Sequence, residues 1–198
     1  MSNKNNDSTL ARKLRQNIQG EVLFDNFNRG RYSTDASIYQ LMPIGVVVPK
    51  SDEDVEAAVK IAKEEGTAVL PRGSGTSQNG QAIGEALLID STRHLNQVLD
   101  FDKENRTACV QPGLVLDHLN RYLKPHGLFY PVDVSTANRA TLGGMTGNNS
   151  CGARSIRYGN MVHNVLSVEA LLADGNKGHF KKINADANNS NVSEALIG

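Results

Sequence analysis

Neither sign of charge is in excess in this 198-residue sequence, with Lys plus Arg and Asp plus Glu at 21 each. A chain balanced in this way projects no global field toward a polyanion, so neither nucleic acid nor an anionic bilayer is an expected partner. Long apolar runs are also missing. No stretch approaches the roughly 20 apolar residues of a spanning helix, and the opening MSNKNNDSTLARKLRQNIQG lacks the apolar core of a secretory signal. Cysteine is scarce: Cys109 and Cys151 form no CxxC pair, which fits a reducing compartment with no disulfide framework or metal knuckle, although a single disulfide stays open. His94, His118, His126, His163 and His179 include no pair at the i, i+3 or i, i+4 spacing of a helical metal site. No metal is therefore expected among these residues, and there are no internal repeats. The expectation is a cytoplasmic protein, at most peripheral to a membrane. Its 39% hydrophobic content suffices for one ordinary core or two small lobes sharing a cleft.

Local patterns divide the chain. Leu10, Leu14 and Ile18 repeat every four residues, which predicts a short helix over 8–19, packed on the body rather than inserted in a membrane. Gly45-Val-Val-Val48 reads as a buried strand. Ser51-Asp-Glu-Asp54 opens a helix with acids at its positive end, and Gly66 stops it. A second strand over 67–70 then leads into Pro71-Arg-Gly-Ser-Gly-Thr-Ser-Gln-Asn-Gly80, and this strand, helix, strand order predicts parallel pairing of the two strands. A short strand at 86–90 follows, and after it a hairpin of 97–101 with 106–111. Leu116, Leu119 and Leu123 share one helix face that ends at Pro125 and Gly127. Residues 165–173 read as a long apolar strand closed by Asp174-Gly175, and the polar tail from residue 184 has no periodicity.

Half of the 18 glycines fall in two short segments, 71–84 and 143–159. Glycine lets backbone amides approach a phosphate with no Cβ in the way, and Ser74, Thr76 and Ser77 add hydroxyls. Arg72 has two candidate roles, screening a diphosphate or holding the loop. The first segment is neither a Walker sequence, since no Gly-Lys-Ser/Thr follows, nor GxGxxG, since Gln78 stands where the third glycine belongs. In the second, Thr141-Leu-Gly-Gly-Met-Thr-Gly-Asn-Asn149 reads as a helix start with exposed amides, so a pyrophosphate between the segments would meet donors on both sides. Cys151 is expected to fill a tight turn, and His163 to have a surface role rather than that of a base. No catalytic residue is assigned.

The runs VVVPKSDEDV, PRGSGTSQNGQ, VQPG, YPVDVSTANRATLGGMTGNNSCG, RYGN and LSVEALLADG, in that order, resemble the FAD-linked oxidase superfamily of the vanillyl-alcohol oxidase and p-cresol methylhydroxylase type. Within it the likeness is to the branch of glycolate, D-lactate and D-2-hydroxyglutarate dehydrogenases. The resemblance implies an α+β, two-lobed FAD-binding domain, truncated at its C-terminus. Residues 1–39 would form a leader and helix and 40–198 the FAD-binding domain, with lobe one at about 40–90 and lobe two at about 91–180.

It further implies that Pro71, Arg72, Gly73, Ser74, Gly75, Thr76 and Ser77 form the pyrophosphate loop, and that Pro131 and Ser135 lie beside the flavin. Thr141, Gly143, Gly144, Asn148 and Gly152 would form a second cradle, and Tyr158 and Gly159 a wall near the adenosine. The first loop has no histidine, so the FAD is expected to be non-covalent. The family's Gly-Ser-Glu-Gly-Thr-Leu-Gly-like motif and its substrate domain have no counterpart here. The implied activity is oxidation of a D-2-hydroxy acid to a 2-oxo acid, with electrons leaving to a quinone, cytochrome, electron-transfer flavoprotein or iron–sulfur centre in a missing region or partner chain. The alternative is a non-catalytic flavin-binding subunit served by a separate substrate-binding chain. On this basis Gly75→Val is expected to abolish FAD binding by filling space meant for phosphate.

Overall fold

The computed structural model describes residues 8–181, so the polar tail from residue 184 lies outside the described part. Ser8 caps the first helix, α1 (Thr9–Asn17), by accepting from the Ala11 amide. The fourfold spacing seen in the sequence puts Leu10, Leu14 and Ile18 on one buried face together with Ala11. That face packs on α3 (Asp52–Glu64) and on one side of a four-stranded sheet, in a core that includes Phe24, Val47, Ala58, Ile61, Ala62, Leu87 and Ile89. The segment before residue 40 also contributes β1 (Glu21–Leu23), which pairs antiparallel with β2 (Gly45–Val48), and a short helix, α2 (Asn26–Arg31). The expected leader is thus built into the first lobe. Leu14 is fully buried, and Leu14→Ala is expected to cost about 2–4 kcal/mol in urea unfolding. A cost below about 0.5 kcal/mol, the range of surface substitutions, would show that α1 is not part of this core.

Beyond α3, the strands β3 (Val69–Arg72) and β4 (Leu87–Asp90) complete the sheet in the order β1-β2-β4-β3. The expected direct pairing of the two strands flanking α3 is corrected here. Both run parallel to β4, which lies between them. Composition explains the arrangement: all four residues of β4 are buried, whereas β3 carries Pro71, which has no N–H to donate and belongs at an edge. The strand also reaches two residues further than expected, so that Pro71 and Arg72 end it rather than open the loop.

At the start of α3, Ser51 accepts from the Asp54 amide as the N-cap. Asp54 itself is buried, and its carboxylate accepts from the amides of Gln19, Gly20 and Lys50 at 2.8–2.9 Å. It therefore ties the turn between α1 and β1 to the loop that precedes α3.

The second lobe opens with the expected hairpin, β5 (Val98–Asp102) and β6 (Thr107–Val110). The helix α4 (Leu116–Leu123) ends in a 3-10 turn at Lys124–His126, where Gly127 takes φ +71°. Leu116, Leu119 and Leu123 form a core with Val132, Ala140, Leu142, Met145 and Met161. Three short helices, α5 (Leu142–Gly147), α6 (Ser155–Tyr158) and α7 (Met161–Asn164), lead to the last hairpin. That hairpin is β7 (Ser167–Leu171) with β8 (Lys177–Lys181), turning at Asp174-Gly175. The long apolar strand expected over 165–173 is five residues long with none buried, and β8 was not foreseen. The whole is a mixed α+β fold in two lobes. Among the described residues no helix is long and apolar enough to cross a membrane.

Candidate functional site

The two glycine segments, far apart in sequence, meet at the junction of the lobes. The first leaves β3 at Gly73. A β-carbon built there collides with the Thr141 hydroxyl, so the loop passes the second segment at a distance only glycine allows. Beside this contact the Ser74 hydroxyl donates to the Arg139 carbonyl, and Gln81 Nε2 donates to Asn148 Oδ1 at 2.8 Å. The Ser77 hydroxyl bonds Gln81 Oε1 and accepts from the Asn79 amide, which shapes the far end of the loop.

On the opposite side Thr141 is buried, and its Oγ1 caps α5 by accepting from the Gly144 amide at 3.3 Å. Gly143 packs on Pro112, whose carbonyl accepts the Gly143 amide at 2.9 Å. A β-carbon at Gly152 would land on the Asp133 carbonyl oxygen. Ser74, Gly144 and Asn148 remain exposed along the junction, and Thr76 and Ser77 are half-buried. Neither 71–84 nor 141–159 contains a carboxylate. The two segments thus bring hydroxyls, carboxamides and close-packed glycine backbone together, and the carboxylates nearby come from outside them, Asp35 accepting from the Ala82 amide and Asp133 from the Arg154 amide.

Of the two roles set out for Arg72, its contacts correspond to holding the loop. Nη1 donates to the carbonyls of Tyr32 at 3.2 Å and Ala82 at 2.8 Å, and Nη2 to that of Thr34 at 2.8 Å. The guanidinium lies over the Tyr32 ring, 5.4 Å from its centroid. Burial draws Arg72 below its ordinary pKa, with Asp90, Asp35 and Tyr32 opposing. The reason given for Gly75→Val also changes. Gly75 has φ +68°, and a β-carbon there would sit 2.6 Å from Arg72 Nη2. Valine would disturb the loop from beneath instead of filling a phosphate's place.

Residues 31–35, which the sequence marks only as polar surface or an inter-domain contact, belong to a segment, 32–41, that wraps the first loop. Ala36 donates its amide to the Gly75 carbonyl at 3.0 Å, and Asp35 accepts from the Ser37 and Ala82 amides. Burial disfavours charge on Asp35, but Ser37, the Ala82 amide and Arg72 outweigh it and hold the carboxyl below its ordinary range. Tyr39 packs beside Gly80. The available signal was the alternation of small polar residues, Ser33-Thr-Asp-Ala-Ser37, which favours side chain to backbone turns over a strand or helix.

Other candidates lie further along the second segment. Pro131 is half-buried and Ser135 exposed on the stretch that leads to Arg139. Tyr158 is partly exposed and meets Phe129 edge to face, with ring centroids 6.0 Å apart. Gly159 takes φ +79° against the His163 ring, whose Nδ1 accepts from the Asn160 amide at 3.0 Å, so His163 caps α7. Cys109 and Cys151 are free and exposed; Cys151 does not fill a tight turn as expected.

Two lobes thus meet through facing glycine segments, joined by Gly73 on Thr141, Ser74 on Arg139 and Gln81 on Asn148. The chain belongs to the FAD binding domain family, whose model matches residues 43–179. It is 40% identical over 163 residues to a D-2-hydroxyglutarate dehydrogenase of Escherichia coli, a match covering 81% of this chain and 16% of that protein. It is 38% identical over 162 residues to a glycolate oxidase subunit GlcD of Bacillus subtilis, covering 80% of this chain and 34% of that one. A solved alkyldihydroxyacetonephosphate synthase shares the fold with a TM-score of 0.82 at 23% identity, covering 96% of this chain and 37% of that one. The chain therefore spans well under half the length of these relatives. FAD fits the residues present: Ser74, Gly144 and Asn148 stay exposed along the junction, and neither glycine segment carries a carboxylate of its own.

Proposed function

We propose that this chain is the FAD-binding portion of a dehydrogenase that oxidises a D-2-hydroxy acid of the lactate, glycolate or 2-hydroxyglutarate type to the 2-oxo acid. The observation that carries the proposal is the clasp itself, Gly73 on Thr141, Ser74 on Arg139 and Gln81 on Asn148, within a family domain for FAD. Gly73 to Ser77 would hold the pyrophosphate from one side, and Thr141, Gly143, Gly144, Asn148 and Gly152 would cradle the cofactor from the other. Pro131 and Ser135 would border the flavin, and Tyr158 with Gly159 the adenosine. The first loop contains no histidine, so attachment is non-covalent.

Bound FAD supplies an acceptor for the hydride on the substrate α-carbon; the chain's own residues bind and orient it. Substrate-binding groups, and a route for electrons to a quinone, cytochrome, flavoprotein or iron–sulfur centre, would lie outside the described residues. Among the described residues no three His, Cys, Asp or Glu side chains stand together as metal ligands. A cytoplasmic protein, at most peripheral to a membrane, is part of the same proposal; the apolar face of α1 is buried in the first lobe and is not offered to a bilayer. The second reading is a flavin-binding subunit or fragment that depends on a separate chain for substrate.

Titration of the purified chain with FAD, followed by flavin fluorescence and visible absorption, tests the function. Saturation near one flavin per chain is expected, and no saturable binding would overturn it. Adding D-lactate or D-2-hydroxyglutarate without oxygen to the loaded chain separates the two readings. Bleaching of the flavin bands would show a complete site, and unchanged bands a subunit that needs another chain.

A further inference from the structure

Tyr32 and Asp90 lie outside the glycine segments, yet both reach them through Arg72. Asp90 ends the central strand β4 directly opposite Arg72 in the β3–β4 register, and it is buried. Its carboxylate accepts from the Tyr32 hydroxyl at 2.7 Å and from the Thr92 amide and hydroxyl at 2.8 and 2.6 Å. Tyr32 in turn grips Arg72 at two points, its carbonyl accepting from Nη1 and its ring lying against the guanidinium. Burial first, and the Asp90 bond second, push the phenol above its ordinary pKa, so it stays a neutral donor to Asp90 at physiological pH. Arg72 then fills the hollow beneath Gly75 and bonds the Ala82 carbonyl beyond the loop. The chain of contacts runs from the rigid centre of the sheet to the underside of the loop without touching its outer face.

We propose that Tyr32 and Asp90 are positioning residues for the cofactor loop, fixing Gly73–Ser77 through Arg72; the inference rests on the assignment of that loop to FAD. The phenol–carboxylate bond orients the tyrosine ring, the ring and its carbonyl orient the guanidinium, and the guanidinium holds the left-handed turn at Gly75. Losing the first link frees the last without removing any group that faces the ligand.

Tyr32→Phe in the full chain tests this, because it keeps the ring and deletes only the hydroxyl. Two readouts are taken. Amide hydrogen exchange without FAD is expected to speed up at residues 73–77 and 82 while the amides of β2 and α3 keep their rates. FAD affinity is expected to fall about tenfold, the size of one hydrogen bond to a charged group. The same substitution made on Arg72→Met is expected to add no further loss, since coupled residues are non-additive. Unchanged exchange at 73–77 overturns the proposal whatever the FAD result, as does faster exchange with unaltered affinity, or losses that add across the two positions. If the parent chain binds no FAD, the cofactor assignment fails on its own, and the exchange data still decide whether Tyr32 and Asp90 set the loop.

Discussion

Gly73→Val is expected to reduce FAD affinity by at least about a hundredfold, more than 2.7 kcal/mol, while the chain keeps its secondary structure. The β-carbon at this position lands on the Thr141 hydroxyl, and Thr141 has little freedom to yield. Only 2% of it is exposed, and its Oγ1 is engaged as the N-cap of α5. Relief must come from moving the end of β3 away from α5. That movement would also draw Ser74 from the Arg139 carbonyl and Gln81 from Asn148, the contacts that clasp the lobes. The damage falls on the junction, leaving the cores of both lobes packed. A companion pair identifies the cause. Gly73→Ala alone is expected to weaken binding, and adding Thr141→Ala to restore part of it by removing the oxygen in conflict. Thr141→Ala by itself costs about 1 kcal/mol of helix cap. Wild-type affinity in Gly73→Val, measured by fluorescence titration, would remove the junction from the cofactor site.

The same junction marks the limit of what the sequence discloses. The clustering of glycines at 71–84 and 143–159 marked two segments that meet in the fold, because a requirement for bare backbone leaves a compositional trace. Helices were legible where spacing and caps agreed, as at Ser8 with Leu10 and Leu14, or Ser51 with Gly66. Strand order was not legible, since the chain order of β3 and β4 does not reveal which is more deeply buried in the sheet, and Pro71 gave only a hint of an edge. The part played by Arg72 was open for a similar reason: an arginine beside a phosphate loop looks the same in sequence whether it faces the ligand or the underside of the turn. Its partners Tyr32, Thr34 and Ala82 offer main-chain carbonyls, which carry no residue-type signal.

Asp54 shows how far a correct local reading can fall short. In sequence it is one of three acids at the start of α3, where a negative charge interacts favourably with the helix dipole at a few tenths of a kcal/mol to about 1 kcal/mol. In the fold it alone of the three is buried, and it receives three backbone amides, from Gln19, Gly20 and Lys50. Gly20 has no alternative position, because a β-carbon there would strike the Val48 carbonyl oxygen, so the turn before β1 is held against the end of β2. Asp54→Ala would leave these three amides without their acceptor in a site too closed for water to replace it readily. The expected cost is roughly 3–5 kcal/mol, a large part of the stability of a domain this size. Asp54→Asn keeps an oxygen acceptor and is expected to lose about half as much. By contrast Glu53→Ala, at the helix start but on its exposed side, is expected to change stability by less than about 0.5 kcal/mol. Urea denaturation of the three variants distinguishes a buried acceptor from a general acidic cap: graded losses in the order Ala, Asn, Glu53 variant support the former, and equal small losses would reduce Asp54 to one more charge at a helix end.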